Sequence, residues 1–244
     1  MFQLVPMSPQ LTSTMKMGMA KVGVAREKDL QREQRLLIQF RQGEFFMQAL
    51  LVVDAQNEFS ATGLRPVPNH SEALGRIKQH VRDARDEKRP IAWVQHHNKP
   101  HESKAFIPGS WGAELSPGLG PQSAFGTERL FVKDVYGAFT ATGLEEWLRE
   151  EGVSNVLIVG FYAHACLSTS VREALIRGFD VFLDPEATGA RTMEDPILGS
   201  QSAEEVRRSA LLQLVNMGAK VVSAPVWSKQ RDTETSMRGI RARA

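Results

Sequence analysis

The chain has 244 residues, 42% hydrophobic and 24% charged, with a formal net charge of +2; this suits one large globular domain or two small ones and gives no ground for nucleic-acid binding. Its one cysteine, Cys166, excludes a disulfide framework and a multi-thiolate zinc site, and fits a reducing, cytoplasmic setting. No apolar run reaches bilayer length, and the start lacks the apolar core and small-residue cleavage site of a secretory signal, so a membrane is not an expected partner either.

Residues 1–46 differ in character from the rest of the chain. The first 26 contain no acid, and "REKDLQREQRLLIQF" then places Leu30, Leu36, Leu37 and Phe40 at helical spacing. The segment reads as an extension, a flexible arm plus one amphipathic helix, with a transit peptide as the alternative. A helix of about fifteen residues is marginal alone, so it is expected to dock at a subunit interface. From residue 47 the text turns regular. The strand "MQALLVV" is followed by a helix over 71–89, with Ser71 as N-cap and Ala73, Leu74, Ile77, Val81 and Ala84 on one face. "PIAWVQHH" and "RLFVKDVYGAF" read as strands, "GLEEWLREEG" as a helix and "SNVLIVGFYA" as a fourth strand. The helix "LSTSVREALIRG", the strand "FDVFLDPEATGA", the helix "SAEEVRRSALLQLVNMG" and the strand "AKVVSAPVW" complete the domain, 47–227; 228–244 is a polar, basic tail. Continuous aliphatic strands alternating with helices predict an α/β, three-layer, Rossmann-like fold: a six-stranded parallel sheet with helices on both faces.

In such sheets ligands bind beyond the carboxyl ends of the strands. Asp54 follows "ALLVV", Lys133 ends "LFV", and Cys166 lies six residues past the Gly of "VLIVG", at the start of a helix. Each has a bland reading: a turn aspartate, a solvated lysine, a small buried thiol. On one edge together they form a nucleophile site. A helix N-terminus and a lysine both lower a thiol's pKa, and a carboxylate can take the thiol proton and pass it to a leaving amine.

Three ordered blocks, "LLVVDAQNEF", "VKDVYGAFTATGLEEWLREEGVSNVLIVGF" and "GFYAHACLSTSVREALIRGFDVFLDPEATGA", resemble the isochorismatase-like cysteine hydrolases, which include N-carbamoylsarcosine amidohydrolases, nicotinamidases and ureidoacrylate hydrolases. The resemblance implies Asp54 as general base, Lys133 as charged partner and Cys166 as nucleophile. It also implies a non-proline cis peptide at Phe161–Tyr162, with the Tyr162 and Cys166 backbone N–H groups facing an oxyanion. The expected activity is hydrolysis of a small molecule's amide, ureido or carbamoyl C–N bond through a thioester, and a homo-oligomer, dimer or tetramer, is expected. The alternatives are vinyl-ether hydrolysis of the isochorismatase type and a non-catalytic member acting in binding or assembly.

The sequence departs from its relatives in two places. Ala163 and His164 stand where many have Thr-Asp. Nicotinamidases hold a metal through an Asp and two His after the second strand; here "VQHHNKPHES" offers His96, His97 and His101 without a carboxylate, and a polar loop is expected rather than a metal site. No cofactor is expected. The 105–121 loop makes Trp111 a candidate pocket wall, together with Phe59, Tyr136, Phe161 and Tyr162. Those aromatics predict an apolar pocket for a small neutral amide or ureide, and no Arg is assigned to a substrate carboxylate.

Overall fold

The structure, a computed structural model, describes residues 47–222 apart from 100, 123, 125 and 126. The expected N-terminal extension, the basic tail and the end of the last strand lie outside the described residues.

Strand β1 (Met47–Val53) is followed by helix α1 (His70–Asp86), β2 (Ile91–His96), β3 (Glu128–Lys133) and α2 (Leu144–Glu150). Next come β4 (Val153–Phe161), α3 (Cys166–Ile176) and β5 (Asp180–Gly189). A short hairpin, β6 (Met193–Asp195) with β7 (Gly199–Gln201), precedes α4 (Ala203–Asn216) and β8 (Lys220–Val221). The main sheet has the order β3-β2-β1-β4-β5-β8, and every pairing in it is parallel. The chain winds outward from β1 through β2 to β3, then returns beside β1 as β4 and winds the other way. The order therefore reverses between β1 and β4, where the loops beyond the two strands part and leave a crevice.

The run "ALLVV" is apolar throughout because β1 is covered on both faces. Ala49, Leu51 and Val53 enter one core with Trp147, Leu148, Leu167, Val171, Leu211 and Leu214 of α2, α3 and α4. Leu50 and Val52, pointing the other way by the strand's period of two, enter a second core with Ala73, Ile77, Val81 and Ala84 of α1. Two expectations need correction. Helix α1 begins one residue before Ser71, with Asn69 at the cap position and no side-chain cap bond; the Asn69 amide instead donates to the Thr188 carbonyl of β5 at 3.2 Å. The β6–β7 hairpin was not expected, since its residues are all exposed and show no apolar alternation to read.

In the β1–β4 ladder Val53 pairs with Gly160. Gly160 has φ +121, and a Cβ there would run into the Val53 carbonyl. Gly160→Ala is expected to cost on the order of 3 kcal/mol or more, as strain plus backbone displacement. Denaturant unfolding checks this; a loss under about 1 kcal/mol would show that the strands can part there cheaply.

Candidate active site

The chain leaves β1 through a left-handed turn at Asp54, φ 51, a conformation that aspartate tolerates better than most residues. The Asp54 amide still donates to Val94 of β2 at 2.9 Å, and its side chain is fully buried. Two residues on, the buried Gln56 amide acts as a backbone substitute. It donates to the carbonyls of His96 at 2.9 Å and Ala113 at 2.7 Å, and its oxygen accepts the His96 amide at 2.9 Å. That clamp fixes the end of β2 and the following loop beside Asp54.

Lys133 ends the edge strand β3 but points inward like Phe131, and is 3% exposed. Its Nζ donates to Asp54 Oδ2 at 2.8 Å and to the Val135 carbonyl at 3.1 Å, and it lies 3.2 Å from His96 Nδ1. An ammonium has only donors, so His96 Nδ1 must accept and Nε2 must carry the hydrogen. That hydrogen is directed to Asn98 Oδ1 at 2.7 Å. His96, not singled out beyond its place in the histidine loop, is thus the third acceptor that holds the lysine in place. Burial opposes the Lys133 charge, but Asp54 and the Cys166 side chain outweigh burial and hold its pKa above the ordinary value.

Cys166 is the first residue of α3. Its approach carries the cis peptide Phe161–Tyr162, and the Tyr162 carbonyl accepts the Ala165 and Leu167 amides at 3.0 and 3.2 Å. The Cys166 amide, at the first helical position, has no acceptor within the helix. The sulfur, one Asp54 carboxylate oxygen and one His96 ring nitrogen all lie within 4.8 Å of one another, and both Asp54 and Lys133 act electrostatically on the thiol. Asp54 Oδ1 has no hydrogen-bond partner.

The electrostatics correct one expectation. Burial pushes the Cys166 thiol up, the Asp54 carboxylate pushes it further, and Lys133 pulls it back without prevailing. The resting group is a protonated thiol beside the Asp54 side chain, so activation is a proton transfer at the moment of attack. Cys166, Lys133 and Tyr162 (pushed up to about 12, first by burial) all hold their protons more tightly in the folded state. Their contribution to stability is therefore full below the ordinary thiol value of 9.0 and declines as pH rises above it. Thermal melts are expected to fall steadily above pH 9, less steeply in Cys166→Ala; equal slopes for the two proteins would contradict the raised thiol.

Asp54, His96 and Cys166 are the donor cluster that could hold a metal among the described residues. Lys133 Nζ stands at hydrogen-bonding distance from two of these residues, so a divalent ion would meet a full positive charge at contact. The arrangement fits the ammonium and does not fit a metal. Among the described residues, His97 and His101 join no such cluster with His96.

Above these groups lies a cavity of about 690 Å³ lined by Asp54, Cys166, Phe59, Tyr136 and Tyr162 among others. Trp111 and Phe161 do not line it. Trp111 is 52% exposed, its backbone fixed by Asn57, whose side chain donates to its carbonyl. Phe161 is fully buried against Phe59 and His70. The lining is also less neutral than expected, with Arg65, Arg191, Glu102, Asp134, His96 and His164 in it. Arg191 stands two residues beyond β5, so the strand-end rule itself pointed there; Arg65 lies in irregular chain that carries no pattern.

The model of the isochorismatase domain family matches residues 48–225. The chain is 30% identical over 175 residues to a secreted isochorismatase effector of Verticillium dahliae, covering 72% of this chain and 87% of that one. It is 29% identical over 150 residues to a nicotinamidase of Arabidopsis thaliana, covering 57% and 72%. The crystal structure of an isochorismatase from Pseudomonas putida superposes with a TM-score of 0.66 at 26% identity, covering 75% of this chain and 94% of that one.

Proposed function

Because the chain belongs to the isochorismatase family of hydrolases, we propose that it cleaves a non-peptide C–N bond of a small molecule through a thioester on Cys166. The observation that carries this reading is the thiol at a helix start, beside a buried carboxylate that an ammonium pairs, in the lining of a cavity. Asp54 takes the thiol proton as sulfur attacks the carbonyl carbon, and the carbonyl electrons move to oxygen. The Tyr162 and Cys166 backbone N–H groups are assigned to that oxyanion. As the C–N bond breaks, Asp54 gives its proton to the departing nitrogen, and ammonia or an amine leaves. Water then attacks the thioester, loses a proton to Asp54, and the acid departs while the thiol regains that proton. Lys133 stays paired with Asp54 and shares its charge throughout. Phe59, Tyr136 and Tyr162 form the walls against which the substrate lies.

Ammonia release across a panel of amides, ureides and carbamoyl compounds tests the reaction. Turnover of at least one, lost with Cys166, supports it; silence on all of them with cleavage of a vinyl ether contradicts it. The same reading includes a homo-oligomer, for which light scattering must give a dimer or tetramer mass and not a monomer's. Its location is assigned to the cytoplasm on the single-cysteine argument. Among the described residues no helix is long and apolar enough to cross a membrane.

A further inference from the structure

The cavity that holds Cys166 carries two guanidinium groups, Arg65 and Arg191, and among the described residues neither is ion-paired with an acid. Their nearest bonds are weak ones, Arg65 Nη2 to Ser103 Oγ at 3.4 Å and Arg191 Nη1 to the Thr192 carbonyl at 3.5 Å. The acids in the same lining are engaged elsewhere. Asp134 pairs with Lys99 at 3.2 Å, and Glu102 accepts the Lys99 amide at 3.1 Å. Deeper down, the Asp54 and Lys133 charges neutralise each other. With Asp54 matched by Lys133 and Asp134 by Lys99, the two arginines face one remaining acid, Glu102, and the cavity keeps an excess of positive charge.

That charge is gathered around Tyr162. The Tyr162 hydroxyl donates to the Arg65 carbonyl at 2.7 Å, which fixes the backbone of one arginine to the ring. Both arginines act electrostatically on the Tyr162 phenol, and Arg191 acts also on His164. The His164 ring stacks on Tyr162 with centroids 5.0 Å apart, and its buried Nδ1 has no hydrogen-bond partner. Tyr162 stands four residues before Cys166, so this group of side chains flanks the position where a carbonyl would meet the sulfur. Guanidinium is the side chain best shaped for a carboxylate, by paired N–H donors in a fixed fork.

Resting on the hydrolase reading, we infer that the substrate is an anion: an amide or ureido compound with a carboxylate a few bonds from the scissile carbonyl, held by Arg65 and Arg191. This replaces the small neutral compound expected from the aromatic residues alone. The two arginines set specificity; they take no part in bond cleavage.

The test measures binding and turnover separately with N-carbamoylglycine and its neutral primary amide. Calorimetry on Cys166→Ser is expected to show the acid bound about tenfold or more tighter than the amide, an advantage that shrinks with salt. Arg65→Met and Arg191→Met, each placed in that background, are expected to remove most of the advantage while leaving the amide unchanged. Binding of the acid no tighter than the amide, including binding of neither, overturns the inference, as does an equal loss for both ligands in the Arg variants. The hydrolase reading fails by a different result. If the wild-type protein releases no ammonia from any amide or ureide yet binds the acid selectively, the anion subsite stands and the C–N chemistry falls.

Discussion

Cys166→Ala is expected to reduce turnover below about one hundredth of the wild-type rate while leaving the fold intact. The thiol is the group that forms the covalent bond, and no second cysteine exists to replace it. Its removal leaves the Lys133–Asp54 pair in place, and a buried Cys-to-Ala change is small, so the stability cost should be about 1–2 kcal/mol. Cys166→Ser should be similarly inactive, because a hydroxyl is harder still to deprotonate than a raised thiol. Steady-state rates and a melting curve on the same preparation check both halves. An alanine variant that keeps more than about one hundredth of the rate rules out covalent catalysis.

Asp54→Asn should fall by about a hundredfold to ten-thousandfold, since an amide cannot accept the thiol proton. Its second effect distinguishes a base from a structural residue. Asp54 pushes the Cys166 thiol up and Lys133 pulls it down, so the two variants must move it in opposite directions. The pH at which iodoacetamide reaches half its full alkylation rate should fall in Asp54→Asn and rise in Lys133→Ala, although both lose activity. Each change also leaves one buried charge unpaired, at a cost of about 3–5 kcal/mol, so near-UV circular dichroism must first show both variants folded. Shifts in the same direction, or none, would place the thiol outside the reach of this pair. Because burial raises the resting thiol in the wild-type protein, its alkylation near pH 7 is expected to be slow.

Much of this was legible in the chain because each signal has a local physical cause. "ALLVV" reads as a doubly covered strand because both of its faces are buried. "SAEE" reads as a helix start because Ser202 and Glu205 each satisfy the other's backbone amide, a reciprocal box that the structure contains. Asp54, Lys133 and Cys166 could be placed on one edge because parallel topology puts all strand ends there.

What escaped depends on direction and burial, which residue type does not carry. Phe161 and Tyr162 are adjacent aromatics, yet one is sealed in the core and the other borders the cavity. Trp111 looked like a pocket wall from its loop, but the short 3-10 turn at Trp111–Ala113 leaves its side chain half exposed. The lysine and helix start near Cys166 were visible in the sequence. The burial and the facing carboxylate that reverse their effect on the thiol were not. His96 was visible only as a member of a histidine run, because its role comes from the Gln56 clamp and the Asn98 bond that orient it.

The measurement closest to the central claim is rapid-quench mass spectrometry during turnover of any amide that releases ammonia. The account predicts an acyl adduct on the peptide containing Cys166, formed as fast as the first equivalent of ammonia appears and removed by hydroxylamine. Ammonia released in the first turnover with Cys166 unmodified throughout would contradict it.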